Sequence, residues 1–545
     1  MRSPRLTRFG LPVTILVGVV VVLLAVPTEK GVRAATGASG GGSIEVPAGV
    51  TLPAAPGSPG TAVSGISCKP GVRQVTWTAY SPLCVPAYSG NNGGTSYPGV
   101  TKTTINMAYR LASSTVLQEI YTLFPKSIVG TNAEAIATYQ AYIKIFNRDY
   151  ELYGRHVVLK AFNGQGNFIN ELTGTGQEAA QADAVTEKTM PVFVDNSAAD
   201  SSNLFDSDLA AQGIVTFTQW PIERSWFTSE GDYLYAAAPD YNKDAAAAAA
   251  FAGLELSGFP AVFGNSSMTN SPRKLAFIYQ ATPMGSAYEQ AFLDDFGKYH
   301  QPQPDLFSYY FDFADLVQEA QTAVAKMKAD GVTTVLLTAD PISPIFFMEA
   351  AQQQNYYPEW VFLSIFDNPE LSLDPLGTMP PQAEMAHAFS LGIADGPLAD
   401  SEAFKVFEMG CKLPPRTDCS NPLPAYSLGV IYSSFVMIYG GLQAAGPWLT
   451  PGNFAKGIAS LPEGPVSGMF GKWTFGPGTV DPSASFQVLK YYPDRVSPLD
   501  SASIAGTPIQ PINGGKGVYL ACNGGASYLY SKPLLPHRQP SCPGG

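Results

Sequence analysis

Six cysteines and four histidines are the first residues to weigh for chemistry in this chain of 545. The cysteines, Cys68, Cys84, Cys411, Cys419, Cys522 and Cys542, fall as three sequence-local pairs. None has the Cys-x-x-Cys spacing of a structural zinc site. An even number points to disulfides and an oxidising compartment. Local pairing, Cys68–Cys84, Cys411–Cys419 and Cys522–Cys542, is expected, with the other connectivities open. His156 follows Arg155 at the start of an apolar run and reads as a strand-edge residue rather than a base. His300, His387 and His537 have no acidic or thiol partner at metal or catalytic spacing. The carboxylates Asp294-Asp295 and Glu223/Glu230 read as solvated faces rather than acid–base pairs. No nucleophile elbow, His-Glu-x-x-His helix or phosphate-binding P-loop occurs. Gly164-Gln165-Gly166 follows a strand-like run, but the third glycine of a dinucleotide loop is missing. An enzyme is therefore a minority reading, and no cofactor and no metal are expected. A secreted hydrolase is the minor alternative.

Those residues must be positioned by a folded body. Hydrophobic types make up 45% of the chain and charged types only 14%, the balance of a chain with a core rather than of a solvated disordered one. The formal charge of -12 argues against a nucleic-acid partner. Residues 1–34 read as a signal peptide. Arg2, Arg5 and Arg8 precede the uncharged run LPVTILVGVVVVLLAV, and Val32-Arg33-Ala34 offers a cleavage site. The run is shorter than the roughly 20 residues of a spanning helix. An uncleaved anchor, the only membrane contact expected, is the alternative. Either way the body is secreted or held in the cell envelope. Residues 35–66, rich in Gly, Pro, Ser and Ala, read as a flexible linker.

From about residue 100, short β-rich runs alternate with helix-length amphipathic segments. Strands are expected at Ile105–Tyr109, His156–Phe162, Pro191–Val194 and Ile214–Thr218. The first two helices fall at Ala133–Asn147 and Gln177–Lys188. After a helical stretch at Tyr241–Leu256 the alternation resumes. Strands are expected at Lys274–Tyr279, Phe307–Phe311, Val332–Thr338 and Trp360–Ile365. Helices are expected at Gly285–Tyr299, Leu316–Ala329 and Ile345–Gln354. Repeated β-α units imply parallel sheets with helices on both faces, and two series imply two α/β lobes. Ala425–Ala445 reads as a buried helix, since Ser, Tyr, Gln and Gly interrupt its apolar run. Residues 501–545 read as an irregular, disulfide-stapled tail.

Several stretches carry a family resemblance. GVTKTTINMAY (99–109) is similar to an opening turn and first strand. AIATYQAYIKIFNRDYELYGRHVVLKAFNGQGN (135–167) is similar to a first helix, Gly-Arg turn and second strand. RKLAFIYQATPMGSAYEQAFLDDF (273–296) opens a second lobe, and SGMFGKWTFGP (467–477) is similar to a closing turn near the hinge. In this order, from about Val100 to Asp494, they resemble the type I periplasmic binding proteins of leucine/isoleucine/valine-binding type that serve ABC importers. The resemblance implies a two-lobe clamshell, each lobe a parallel sheet with helices on both faces. Lobe one would comprise 67–240 plus 369–480, and lobe two 241–368 plus 481–500. It also implies a small polar organic ligand (an amino acid, amide or related compound) in the cleft, and an ABC permease as partner. A sensor or envelope scaffold with the same fold and no transporter is the alternative.

The resemblance implies ligand contacts from loops that follow strand ends. These are Ser113 after the first strand, Ser197 and Ala198 after the third, and Gln219 and Trp220 after the fourth. In the second lobe they are Met284, Asp315 (with Asp312 as rival), Asp340 and Asp367. Each has a plainer reading. Ser197 would cap a helix. Trp220 would be a hinge-packing core residue. Asp315 would be a carboxylate favoured by a helix N-terminus, and Asp340 and Asp367 would be caps. Asn163 and Gln165 stand where the family often has acids, and Met284 where it often has an aromatic, so branched-chain specificity does not follow.

Overall fold

The computed structural model describes residues 44–123, 129–166, 170–171, 175–197, 203–218, 223–310, 312–340, 342–363, 379–392, 402–416, 423, 425–465 and 469–496. It also describes the short strands 32–35, 505–511, 517–520 and 529–530.

Lobe one is built on strands β1 (Thr104–Leu111), β2 (His156–Asn163), β3 (Val194–Asp195), β4 (Val215–Thr218) and β5 (Leu234–Ala236). They form one parallel sheet in the order β2-β1-β3-β4-β5. Its inner strands are buried on both faces, so their sequences run apolar instead of alternating. The connecting helices are α1 (Ser114–Leu123), α2 (Asn132–Asp149), α3 (Gln177–Thr189), α4 (Asn203–Ala211) and α5 (Arg224–Ser229). At the start of α2 the Thr131 and Glu134 side chains each cap the other's backbone N–H.

Lobe two repeats the plan with β6 (Leu275–Gln280), β7 (Asp305–Tyr309), β8 (Thr334–Thr338), β9 (Glu359–Phe362) and β10 (Ala388–Gly392). Their order is β7-β6-β8-β9-β10, all parallel, and β11 (Ser485–Val496) adds antiparallel to β10. Its helices are α6 (Tyr241–Phe251), α7 (Pro283–Phe296), α8 (Phe313–Ala329) and α9 (Ser343–Gln353).

The chain then returns to lobe one with α10 (Glu402–Lys412), α11 (Ala425–Ala445) and α12 (Pro451–Ala459). By length and composition α11 could cross a membrane, but it is the centre of lobe one's core. Tyr432, Phe435 and Tyr439 interlock with Tyr142 and Phe146 of α2, ring centroids 4.8 to 6.1 Å apart. α10 closes on α2 so tightly that a Cβ at Gly410 would lie 2.0 Å from the Ala141 carbonyl oxygen.

Three expectations are corrected. Residues 388–392, assigned from sequence to lobe one (369–480), form a strand of lobe two, with Trp360 opposite Ala388 and Phe362 opposite Ser390. The short run AFSLG is fully buried yet carries no alternation to mark it. Residues 44–66, expected as a flexible linker, are tied to lobe one. Asn453 holds both backbone groups of Glu45, and Thr51 exchanges hydrogen bonds with Asn91. The expected irregular tail contributes strands Ala505–Pro511 and Gly517–Leu520, both paired with β11. The expected signal peptide lies outside the described residues except for 32–34, which with residue 35 of the expected linker pair with 44–47.

Cys68 and Cys84 are bonded as expected. Cys411 is buried near the end of α10. Cys419, Cys522 and Cys542 lie outside the described residues.

Candidate functional site

In both sheets the strand order turns back beside the first strand, which opens a crevice at the carboxyl ends of the strands on either side. In lobe one this point lies between β1 and β3, at Ala112–Ser113 and Asn196–Ser197. In lobe two it lies between β6 and β8, at Gln280–Ala281 and Ala339–Asp340. The two points face each other. Asn203, at the start of α4, directs its Nδ2 at the Met284 sulfur 3.8 Å away, at the start of α7. Trp226 of α5 packs half-buried against the core of lobe two, and its indole N–H donates to Ser207 of α4 at 2.7 Å. Met284 thus lies where α7 of lobe two meets α4 of lobe one. Asn203, Ser207 and Trp226 were not singled out, because α4 and α5 are short and carry little periodicity.

The turn from β6 into α7 requires glycine at 285. A Cβ there would stand 2.0 Å from the Gln280 carbonyl oxygen, while the Gly285 N–H caps on Thr282.

The other named residues divide. Ser113 is half-buried, and its Oγ accepts from the Val116 N–H at 3.2 Å, capping α1. Ser197 is fully buried. Its hydroxyl accepts from the Arg110 N–H at 2.8 Å and donates to Asp195 Oδ2 at 2.6 Å. It ties β1 to β3 at the carboxyl end of β3. Asp340 takes its plainer role. Its carboxylate accepts the N–H groups of Ile342 and Ser343, the Ser343 hydroxyl and the Tyr309 hydroxyl, which leaves little of it for a ligand. Asp315 is exposed inside the first turn of α8 rather than before it, since the helix begins at Phe313. The rival Asp312 is exposed just outside that helix, and its carbonyl accepts the Leu316 N–H. Ala198, Gln219, Trp220 and Asp367 lie outside the described residues.

Gly164-Gln165-Gly166 does cradle an anion, but an internal one. The Gln165 and Gly166 N–H groups donate to the Asp183 carboxylate at 2.9 Å. Asp183 in turn accepts from Arg110 Nε at 2.9 Å, and Glu171 takes the other edge of the guanidinium. Phe205 lies 4.2 Å from the guanidinium carbon, against its face. Asp195, Glu187 and Asp206 are buried in the same region. Burial pushes the Asp195 carboxyl up to about 6, against the pull of Ser197's hydrogen bonds. Burial, reinforced by Asp195, holds Glu187 well above the carboxylate range, and burial does the same to Asp206.

The lobes are hinged on crossovers strapped side by side. The Ala236 N–H donates to the Val480 carbonyl at 2.9 Å. Asp481, fully buried, pairs with Lys243 at the start of α6 and lies 3.5 Å from Arg224 of α5. Burial pushes the Asp481 carboxyl up to about 7 in spite of Lys243.

No family model and no curated protein matches the chain in sequence. Solved structures do match in shape. The fatty acid ABC transporter substrate-binding protein from Thermomonospora curvata is 15% identical with a TM-score of 0.50, the match covering 77% of this chain and 94% of that one. The ABC transporter substrate binding protein from Aeropyrum pernix is 11% identical with a TM-score of 0.52, covering 77% and 97%. With the two facing sheets of like strand order, these likenesses give the chain the two-lobe α/β fold of the type I periplasmic binding proteins.

Proposed function

We propose that the chain is an extracytoplasmic solute-binding protein that captures a small organic molecule between its lobes for an ABC-type permease. The observation that carries this reading is the approach of Asn203 to Met284, which sets the carboxyl ends of two like-ordered sheets against each other. The Cys68–Cys84 bond supports an oxidising location. Met284, Asn203 and Trp226 would line the closed cleft, with Ser113 behind them. Ala198, Gln219, Trp220 and Asp367, which come after strand ends in sequence, would complete it. Ligand that contacts both lobes would favour the closed state, which a permease could then distinguish from the open one.

The test is a thermal-shift screen of the full chain against amino acids, amides, aromatic acids and fatty acids, the last prompted by the name of one fold neighbour. A true ligand should raise the Tm with dose, by the equivalent of about 2.7 kcal/mol at a hundredfold excess over Kd. Met284→Ala should weaken that ligand by about tenfold, the effect of some 1.4 kcal/mol of lost contact. A screen with folded protein and no dose-dependent shift would count against the reading.

A further inference from the structure

Beneath the cleft floor, lobe one buries more acid than it can neutralise. Arg110 on β1 is met by Glu171 and by Asp183 of α3, and those two carboxylates already exceed its charge. Three further carboxyls, Asp195 at the end of β3, Glu187 of α3 and Asp206 of α4, are also fully buried. Asp208 of α4 stands partly buried at the edge of the group. The only cation among the described residues facing this group is Arg110. The oxygens of Glu187 and Asp206 lack close, well-aligned donors, with the Thr218 hydroxyl beside Asp206 and the Asp195 carboxyl beside Glu187. Buried carboxylates without a cation or donors would each cost several kcal/mol, whereas a carboxyl that keeps its proton avoids that cost and can donate. Glu187 lies against Asp195, an arrangement in which one proton can be shared between two carboxyls.

We propose that Glu187, Asp195 and Asp206 form a proton-loaded brace under the cleft, whose loss of protons as the pH rises loosens the strand end Asp195–Ser197. That strand end is held by the carboxyl in question. Asp195 accepts both the N–H and the hydroxyl of Ser197, and Ser197 in turn holds β1 through the Arg110 N–H. Charge on Asp195 alone strengthens its hold on Ser197; loss of the proton shared with Glu187 is what sets two carboxylates against each other where β3 ends. The sign follows from carboxyls held above their unfolded values. Their contribution to stability is complete below the ordinary carboxylate range near 4 and is lost as the pH rises through about 6 and beyond. The brace belongs to lobe one alone, while its bearing on ligand capture rests on the solute-binding reading above.

The experiment uses the full chain without ligand. Amide hydrogen exchange at Asn196 and Ser197, corrected for the intrinsic rate, is compared between about pH 5.5 and about pH 8. Wild type should exchange at least about tenfold faster at the higher pH, the factor one pKa unit carries, and Glu187→Gln should remove most of that increase. Infrared spectra should show a protonated-carboxyl stretch at neutral pH that is smaller in Asp206→Asn, a variant independent of Glu187→Gln, because Asp481 contributes to the same band in both. Exchange that is flat with pH in wild type, an equal increase in Glu187→Gln, or a protonated-carboxyl band no smaller in Asp206→Asn would each overturn the brace. A pH-dependent brace in a protein that binds nothing in the thermal screen would leave this inference standing and remove only the solute-binding reading.

Discussion

Arg110→Met should cost the protein about 3–5 kcal/mol of unfolding free energy, because it leaves a buried, charged cluster without its cation. The side chain is 1% exposed and meets Glu171 and Asp183 on three of its nitrogens. Removing it strands both carboxylates among three more acids. Met fills similar volume, so little of the loss would come from a cavity. Arg110→Lys should recover only part of the loss, since a point charge cannot span two carboxylates as a planar fork does. The Gly166 backbone packs directly on the guanidinium, for a Cβ there would overlap it at 1.5 Å. Urea unfolding followed by separate probes for the two lobes checks this, because two lobes need not unfold as one unit. A loss below about 1 kcal/mol, the scale of an exposed pair, would show that the cluster is not the buried anchor described here.

Arg273→Met should be of similar size, again about 3–5 kcal/mol, but confined to lobe two and opposite in its pH signature. Arg273 grips Glu359 of β9 through Nε at 2.7 Å and Nη2 at 2.9 Å, both side chains being almost fully buried. Glu359 also accepts the N–H groups of Val262 and Phe263 and the Thr334 hydroxyl. Burial alone would raise this carboxyl, yet Arg273 and the hydrogen bonds outweigh it and hold the group below its ordinary value. Stability from a lowered carboxyl is present above the unfolded value near 4.5 and is lost as the pH falls through the folded one. The Arg273–Glu359 contribution to lobe two should therefore fade towards acid. Arg273→Met should flatten the acid-side fall of the lobe-two melting transition. An acid-side fall that is equally steep in Arg273→Met would contradict this role for the pair.

Much of the framework was legible because period and burial agree in it. Ala425–Ala445 reads as a buried helix from its interrupted apolar run and is the core helix of lobe one. The strand runs TINMAYRL and TVLLT stand out because central parallel strands are apolar on both faces. β10 is hard to read because five buried residues with no periodicity look like any loop, while β7, a half-exposed strand, begins two residues before its apolar run predicts. The site was harder to see. Strand ends could be located, but whether a Ser or Asp there faces a ligand or its own backbone depends on the neighbouring strand. Asp340 meets the Tyr309 hydroxyl and Ser197 meets the Arg110 N–H across 31 and 87 residues of chain. Asn203 and Met284 are brought together by the hinge, which no local pattern encodes.

The late return of α10, α11 and α12 to lobe one orders events in time. The Tyr142 hydroxyl donates to the Ala403 carbonyl across 261 residues, and Tyr439 reaches Asn147 across 292. A chain emerging amino-terminus first would have all the parallel strands of lobe two by residue 392, while Tyr142 and Phe146 still wait for their partners. Contacts so distant along the chain form slowly, and an uncovered aromatic face is prone to stick to other chains in the meantime. Lobe two should therefore mature first during synthesis, with lobe one shielded by a chaperone or by speed until residue 445 arrives.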